Sequence, residues 1–405
     1  MDKKFSQKLT QTLEMAVNTN PRPQYDISIH TFTYVYSCNY LTYTRAADQI
    51  AKYAKINNCS FYLETYTNQR ESLTIQSRTT HVLRKDGINK ITLQKFQTAS
   101  CTTCKYRILL MVNPRHLLGY KDHIFTEIVE PDKLPLVLDA MNFVLKKINP
   151  AFPDIIHEGH FCRIDYCTNF WFESQEIANE YMKILKKARI PSKFSLEETY
   201  SPTQHRKIPN MDDVTIQCKS YELSIYLKQK QMISRKDDYN YPNDEINHAA
   251  GQLRIELRTG RPKLYYLKHS NECEEPELIT MPSELALHTI LKQLKHMYGS
   301  GDFYRYSKAR SIILESDYTQ KVKEKLIDIL DTVNKKRSLD AQKNGLDPDY
   351  LKKYLKYFNR LALSPITLPE KSINEFYPNP MRYIIRNTDV YQKNQTANYP
   401  LRLGM

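Results

Sequence analysis

Apolar and polar positions alternate with a period of two in a series of short runs over the first two thirds of the chain, the pattern of strands with one buried face. The first such run, residues 26–36, follows a polar arm, residues 1–24, that closes in Asn20-Pro21-Arg22-Pro23. Further runs of strand character cover residues 60–66, 71–77 and 106–112, with a hairpin over 81–96 turning at Asp86-Gly87 and another strand at 123–130. Two stretches carry helical spacing instead. Residues 44–55 align Ala47, Ile50, Ala51 and Ala54, and residues 134–148 align Val137, Ala140, Met141, Val144 and Ile148 until Asn149-Pro150 stops them. A third helix is expected over 174–188, burying Ile177, Tyr181, Ile184, Leu185 and Ala188, with Pro191 beyond its end.

Three runs differ from the rest because each sets ionisable side chains among apolar and β-branched neighbours. They are Phe161-Cys162-Arg163-Ile164-Asp165-Tyr166, Glu222-Leu223-Ser224-Ile225-Tyr226-Leu227-Lys228, and Leu253-Arg254-Ile255-Glu256-Leu257-Arg258. Between the last two lies a polar, charged segment, residues 229–248, which reads as exposed. After about Pro276 the spacing is helical: residues 284–298 lie between Ser283 and Gly299, residues 319–334 align Val322, Leu326, Ile329, Leu330 and Val333, and a third helix starts at Asp347-Pro348. From Pro365 the periodicity is lost, and an irregular tail is expected. The element order predicts an α+β fold: an antiparallel sheet with helices on one face, followed by a helical C-terminal part. The boundaries this implies are an arm over 1–24, a sheet domain over 25–275 and a helical domain over 276–405.

Composition narrows the chemistry. The 405 residues carry 59 Lys and Arg against 45 Asp and Glu, a net charge of +14, which favours an anionic partner, nucleic acid above all. The alternative is a basic protein kept soluble by its charge. Only 9 glycines occur and neither GxxxxGK[ST] nor GxGxxG is present, so any phosphate must be held by side chains. No run is long and apolar enough for a membrane span, there is no apolar signal region behind Met1-Asp2-Lys3-Lys4-Phe5, and the 8 cysteines lack a dense framework of spacings. A cytoplasmic protein with reduced thiols is expected. Cys101 and Cys104 with His157 and His160 would supply four zinc ligands, but neither spacing matches a common finger.

If the three marked runs pair in one sheet, Tyr226, Lys228, Asp165, Glu256 and the arginines Arg163, Arg254 and Arg258 converge on one surface. That set suits phosphodiester chemistry. A tyrosine oxygen can attack phosphorus, carboxylates can hold a hard divalent cation, and Lys or Arg can stabilise the transition state. Each residue also has a plainer reading. Tyr226 is one of 30 tyrosines, common in strands as packing residues. Asp165 and Glu256 could each pair with the arginine two residues before it, on the same strand face, as well as they could bind a metal. On an unbroken strand Lys228 shares a face with Tyr226, and Tyr221 lies opposite.

At these runs the sequence resembles the rolling-circle replication initiators, the group that includes the gene II type proteins of filamentous phages, plasmid initiators and conjugative relaxases. Arg163-Ile164-Asp165, Tyr226-Leu227-Lys228, Leu253-Arg254-Ile255-Glu256-Leu257-Arg258 and Lys263-Leu264 carry the resemblance in the family's order, and Pro114 with Leu117-Leu118-Gly119 resembles a turn in the phage proteins. It spans about residues 25–270. Two departures stand out: Ser224-Ile225 precedes the tyrosine where the family tends to a small residue, and the His-x-His metal strand of many relatives is absent.

The resemblance implies a DNA nicking and closing enzyme using Mg2+ or Mn2+. Tyr226 would join the 5′ phosphate and free a 3′ hydroxyl for a host polymerase, Lys228 would assist, Asp165 and Glu256 would hold the metal with a third ligand undetermined, and Arg163, Arg254 and Arg258 would contact DNA. A bacterial host cytoplasm, a host helicase as a further partner and an oligomeric assembly fit the same expectation. A conjugative relaxase, or a DNA-binding protein of a mobile element that has lost the chemistry, are the competing readings.

Overall fold

The computed structural model describes residues 22–68, 73–98, 104–154, 158–201, 206–209 and 213–384. The strands are β1 (Arg22–Cys38), β2 (Tyr62–Asn68), β3 (Leu73–Thr80), β4 (Ile88–Thr98), β5 (Lys105–Val112), β6 (His160–Trp171), β7 (Ser195–Leu196), β8 (Glu198–Ser201), β9 (Arg206–Pro209), β10 (Asp213–Gln217), β11 (Tyr221–Leu227), β12 (Gln252–Gly260), β13 (Phe303–Tyr304) and β14 (Phe376–Tyr377). Ten of them form one sheet in the order β2-β3-β4-β5-β1-β6-β12-β11-β10-β7, with antiparallel registers such as Phe32↔Val112 and Ile225↔Val214. The chain is therefore α+β, with a large antiparallel sheet and a helix-rich C-terminal third. No helix among the described residues is long and apolar enough to cross a membrane.

Contacts divide the chain into two compact units, one built on Ile27–Cys167 with Leu257–Ala286 and one on Thr168–Glu256 with the chain from Leu287. The helices after Leu287 thus group with strands β7 to β11.

In the first unit the helix Tyr40–Ile56 starts where the Asn39 side chain accepts from the Thr42 amide at 2.9 Å, and it buries Ala46, Ala47, Ile50 and Ala54. It packs on β5. The hairpin expected over 81–96 is displaced: its arms are β3 and β4, and residues 81–87 form the connection. His81 turns out of the ladder because its ring Nδ1 bonds the Asn89 carbonyl at 2.8 Å. Gly87 closes the turn at φ 95°, where a Cβ would run into the Leu117 backbone. The strand expected at 123–130 reduces to one bridge, Ile29↔Glu127. One of its backbone groups is met by a side chain instead: Asp122, clamped by the Arg115 guanidinium (2.7–3.0 Å), accepts from the Phe125 amide at 3.1 Å.

In the second unit the helix Gln175–Leu185 is capped by Ser174, which accepts from the Ile177 amide at 3.3 Å. Residues 229–248 are mostly exposed, as expected, but they are helical: Lys228–Ser234, Lys236–Tyr239 and Asn243–His248 turn Met232, Tyr241 and Ile246 inward. The helices Pro282–Tyr298, Gln320–Lys336 and Pro348–Arg360 occur where helical spacing places them, and Asp347 caps the last by accepting from the Tyr350 amide at 2.7 Å.

The described part of the stretch from Pro365, residues 365–384, holds only β14 and the short helix Pro380–Ile384 yet is packed, with Ile366, Leu368, Tyr377, Met381 and Tyr383 buried. Side-chain amides do what regular backbone pairing would do elsewhere. Asn379 Nδ2 donates to the Gly301 carbonyl at 2.9 Å, and Asp302 accepts from the Asn379 amide at 2.9 Å while pairing with Arg382 at 2.9 Å. Gly301 has no room for a side chain, since a Cβ would overlap the Leu363 backbone. Gly301→Ala should therefore destabilise the protein by about 1–3 kcal/mol, read as a lower urea midpoint at unchanged slope.

Cys101 and His157 lie outside the described residues, and with them the four-ligand zinc arrangement; the seven described cysteines are free thiols.

Candidate functional site

Four neighbouring strands, β1, β6, β12 and β11, carry the candidate site at the middle of the sheet. The two carboxylates on these strands are withdrawn from solvent and must find partners. Asp165 is 1% exposed and Glu256 is 4% exposed. The nearest ligand atoms of Asp165, Glu256 and His30 all lie within 4.8 Å of one another.

His30 is the residue that sequence reasoning passed over. It is a lone histidine on β1 with no second histidine at ligand spacing, so nothing in the local sequence marked it; only strand order brings it beside Asp165 and Glu256.

The Asp165 carboxylate is heavily engaged. It accepts from Arg163 Nε at 2.8 Å and from Thr31 Oγ1 at 2.5 Å, a second Arg163 nitrogen bonds its other oxygen, and Arg258 Nε stands 3.6 Å away. A carboxylate offers about four lone-pair directions, and these donors take up most of them. The ion pair with Arg163, one of the alternatives that spacing left open for Asp165, forms.

Tyr226 lies one residue before the end of β11, next to β12, and its hydroxyl donates to Glu256 Oε2 at 2.9 Å. The ring is 7% exposed. Tyr221 serves a different role: its hydroxyl accepts from Gln293 Nε2 at 2.7 Å.

Lys228 departs from expectation. β11 stops at Leu227 and Lys228 opens the helix Lys228–Ser234, so the strand argument that put it on the face of Tyr226 fails. Lys228 is 3% exposed and its Nζ donates to Gln231 Oε1 at 3.0 Å. Burial, reinforced by the Arg254 guanidinium and opposed by Glu256, holds its ammonium far below the ordinary lysine range.

The three arginines separate by exposure. Arg254 is fully buried and donates from Nε to Asn169 Oδ1 at 2.7 Å, an oxygen that also accepts from Gln252 Nε2 at 2.9 Å. A guanidinium so enclosed is not presented to a DNA strand at the surface. The side chains of Arg163 and Arg258 keep 26% and 41% of their surface.

One imidazole and two carboxylates form a donor set that could hold a divalent metal ion. An ion with bonds of about 2.1 Å holds any two donors within about 4.2 Å, so small side-chain shifts would close the triad.

No family model matches the sequence. No curated protein matches it either. Among solved structures the chain is similar to the rolling circle replication initiator protein from Geobacillus stearothermophilus, with 11% identity, 69% of this chain and 86% of that chain covered, and a TM-score of 0.26. A superposition that poor establishes neither a shared fold nor a shared function.

Proposed function

We propose that this chain is a metal-dependent DNA nicking and closing enzyme of the rolling-circle initiator type, with Tyr226 as nucleophile and His30, Asp165 and Glu256 as metal ligands. The observation that carries the reading is the meeting of that triad with a tyrosine hydroxyl bonded to one of its carboxylates. The net charge of +14 and the motif resemblance support a DNA substrate.

On this reading Tyr226 Oη attacks the scissile phosphorus, forms a 5′ phosphotyrosine and expels the 3′ oxygen. The hydroxyl proton has an acceptor already in place in Glu256 Oε2. The bound cation would offset charge on the phosphate. Arg163 and Arg258 would position the DNA backbone while Arg254 and Lys228 act from within, setting the electrostatics around Glu256. A host polymerase and helicase would follow as partners, in a bacterial cytoplasm.

The burial of Tyr226 favours one second reading, a DNA-binding protein in which this tyrosine only anchors Glu256. Incubation with supercoiled DNA of the parent element and Mn2+ separates the two. Nicked circles with protein linked at a mapped 5′ end support the enzyme, whereas binding without any nick leaves the second reading.

A further inference from the structure

Strands β2 to β5, β1 and the start of β6 enclose a cleft of about 350 Å3 on one face of the sheet. Strand alternation explains why that face is open. On β4 and β5 the residues Ile91, Leu93, Ile108 and Leu110 point the other way and are fully buried on the side of the helix Tyr40–Ile56, leaving Thr92, Gln94, Leu109 and Met111 for the cleft.

The lining is neither a lipid groove nor an anion site. Its floor is built of cross-strand polar pairs in register: Thr79 opposite Thr92, with hydroxyls 3.2 Å apart, and Ser77 opposite Gln94, whose amide donates to the hydroxyl at 3.4 Å. Leu109 and Met111 add an apolar wall. Charge nearly cancels, with Lys90 set against Glu64 and Arg163 already paired to Asp165. Phosphate recognition calls for clustered cations, whereas a flat heteroaromatic ring calls for apolar contact on its faces and neutral donors and acceptors at its edge. Aromatic groups continue the same face beyond the cleft: Phe96, with the Arg107 guanidinium 4.8 Å over its ring, and Tyr66, 63% exposed, pairs across strands with Ile75, itself opposite Phe96. The cleft ends at Arg163, which holds Asp165.

We propose that this cleft takes an unstacked base of a single DNA strand, read at its edge by Ser77, Thr79, Thr92 and Gln94, with Phe96 and Tyr66 as stacking surfaces for the neighbouring bases. The proposal deepens the nicking reading by locating the bases that flank the cut, and it rests on that reading for the identity of the strand. It makes the sheet face, rather than the arginines, the source of sequence preference.

The test is binding of fluorescein-labelled oligo(dT), oligo(dC) and oligo(dA) by anisotropy, in EDTA so that no cleavage intervenes. The wild-type protein should separate the three by roughly tenfold in Kd. Thr92→Val combined with Gln94→Leu should bring them within about twofold while the salt dependence, a phosphate property, stays the same. Ser77→Ala, at a half-exposed position, should weaken the separation partway and guards against a misfolded double variant. Equal affinities in the wild type, or a full separation surviving in the folded variants, would overturn the proposal. Because the readout is free of cleavage, base preference without nicking would count against the nuclease alone, and nicking without base preference against the cleft alone.

Discussion

Tyr226→Phe is expected to lower nicking of supercoiled DNA by about 10³-fold or more while leaving DNA binding intact, since the change removes the attacking oxygen and almost nothing else. The ring is buried and its packing against β10 and β12 is retained by Phe. Glu256 loses a donor at 2.9 Å, a loss of about 1 kcal/mol in stability, too little to unfold the protein. The covalent protein–DNA adduct should vanish in parallel with the nick. Persistence of both would mean that the nucleophile lies elsewhere. The first places to look would be Tyr265 and Tyr266, 65% and 60% exposed on the helix Arg261–Ser270 that directly follows β12.

Glu256→Gln should be nearly as damaging, at least about 100-fold in cleavage, because it replaces a charged ligand by a neutral amide. An amide oxygen can still accept from Tyr226, so the fold should tolerate the change. His30→Ala should act in the same direction, and Mn2+ binding followed by calorimetry or electron paramagnetic resonance gives a readout that does not depend on DNA. Unchanged Mn2+ affinity in both variants would remove the triad as a metal site. Asp165→Asn is a less clean probe. It weakens the partner of Arg163 and Arg258, and a stability cost of about 1–3 kcal/mol is expected, below that of a fully buried pair because both arginines keep some solvent.

Helices such as Gln320–Lys336 and Pro348–Arg360 stand where their apolar spacing and caps put them, because a helix satisfies its own backbone and needs only a face to bury. Parity across β11 failed at Lys228 since it assumed a strand one residue longer than the one that forms, and one residue at a strand end is enough to change what a side chain meets. Residues 123–130 have strand character, but only Glu127 pairs with β1, and the Phe125 amide bonds the Asp122 side chain rather than a neighbouring strand.

What the linear chain determined by itself was local: a basic protein of mixed α and β elements, with acids, arginines and a tyrosine set into apolar runs. The order of strands was decided only in three dimensions. That order placed the unremarkable His30 beside Asp165 and Glu256, sealed Arg254 inside, and left one face of β2 to β5 open. The reason is physical: alternation along a strand tells which side chains share a face, but which strands become neighbours depends on pairing between segments more than a hundred residues apart, about which no short stretch carries information.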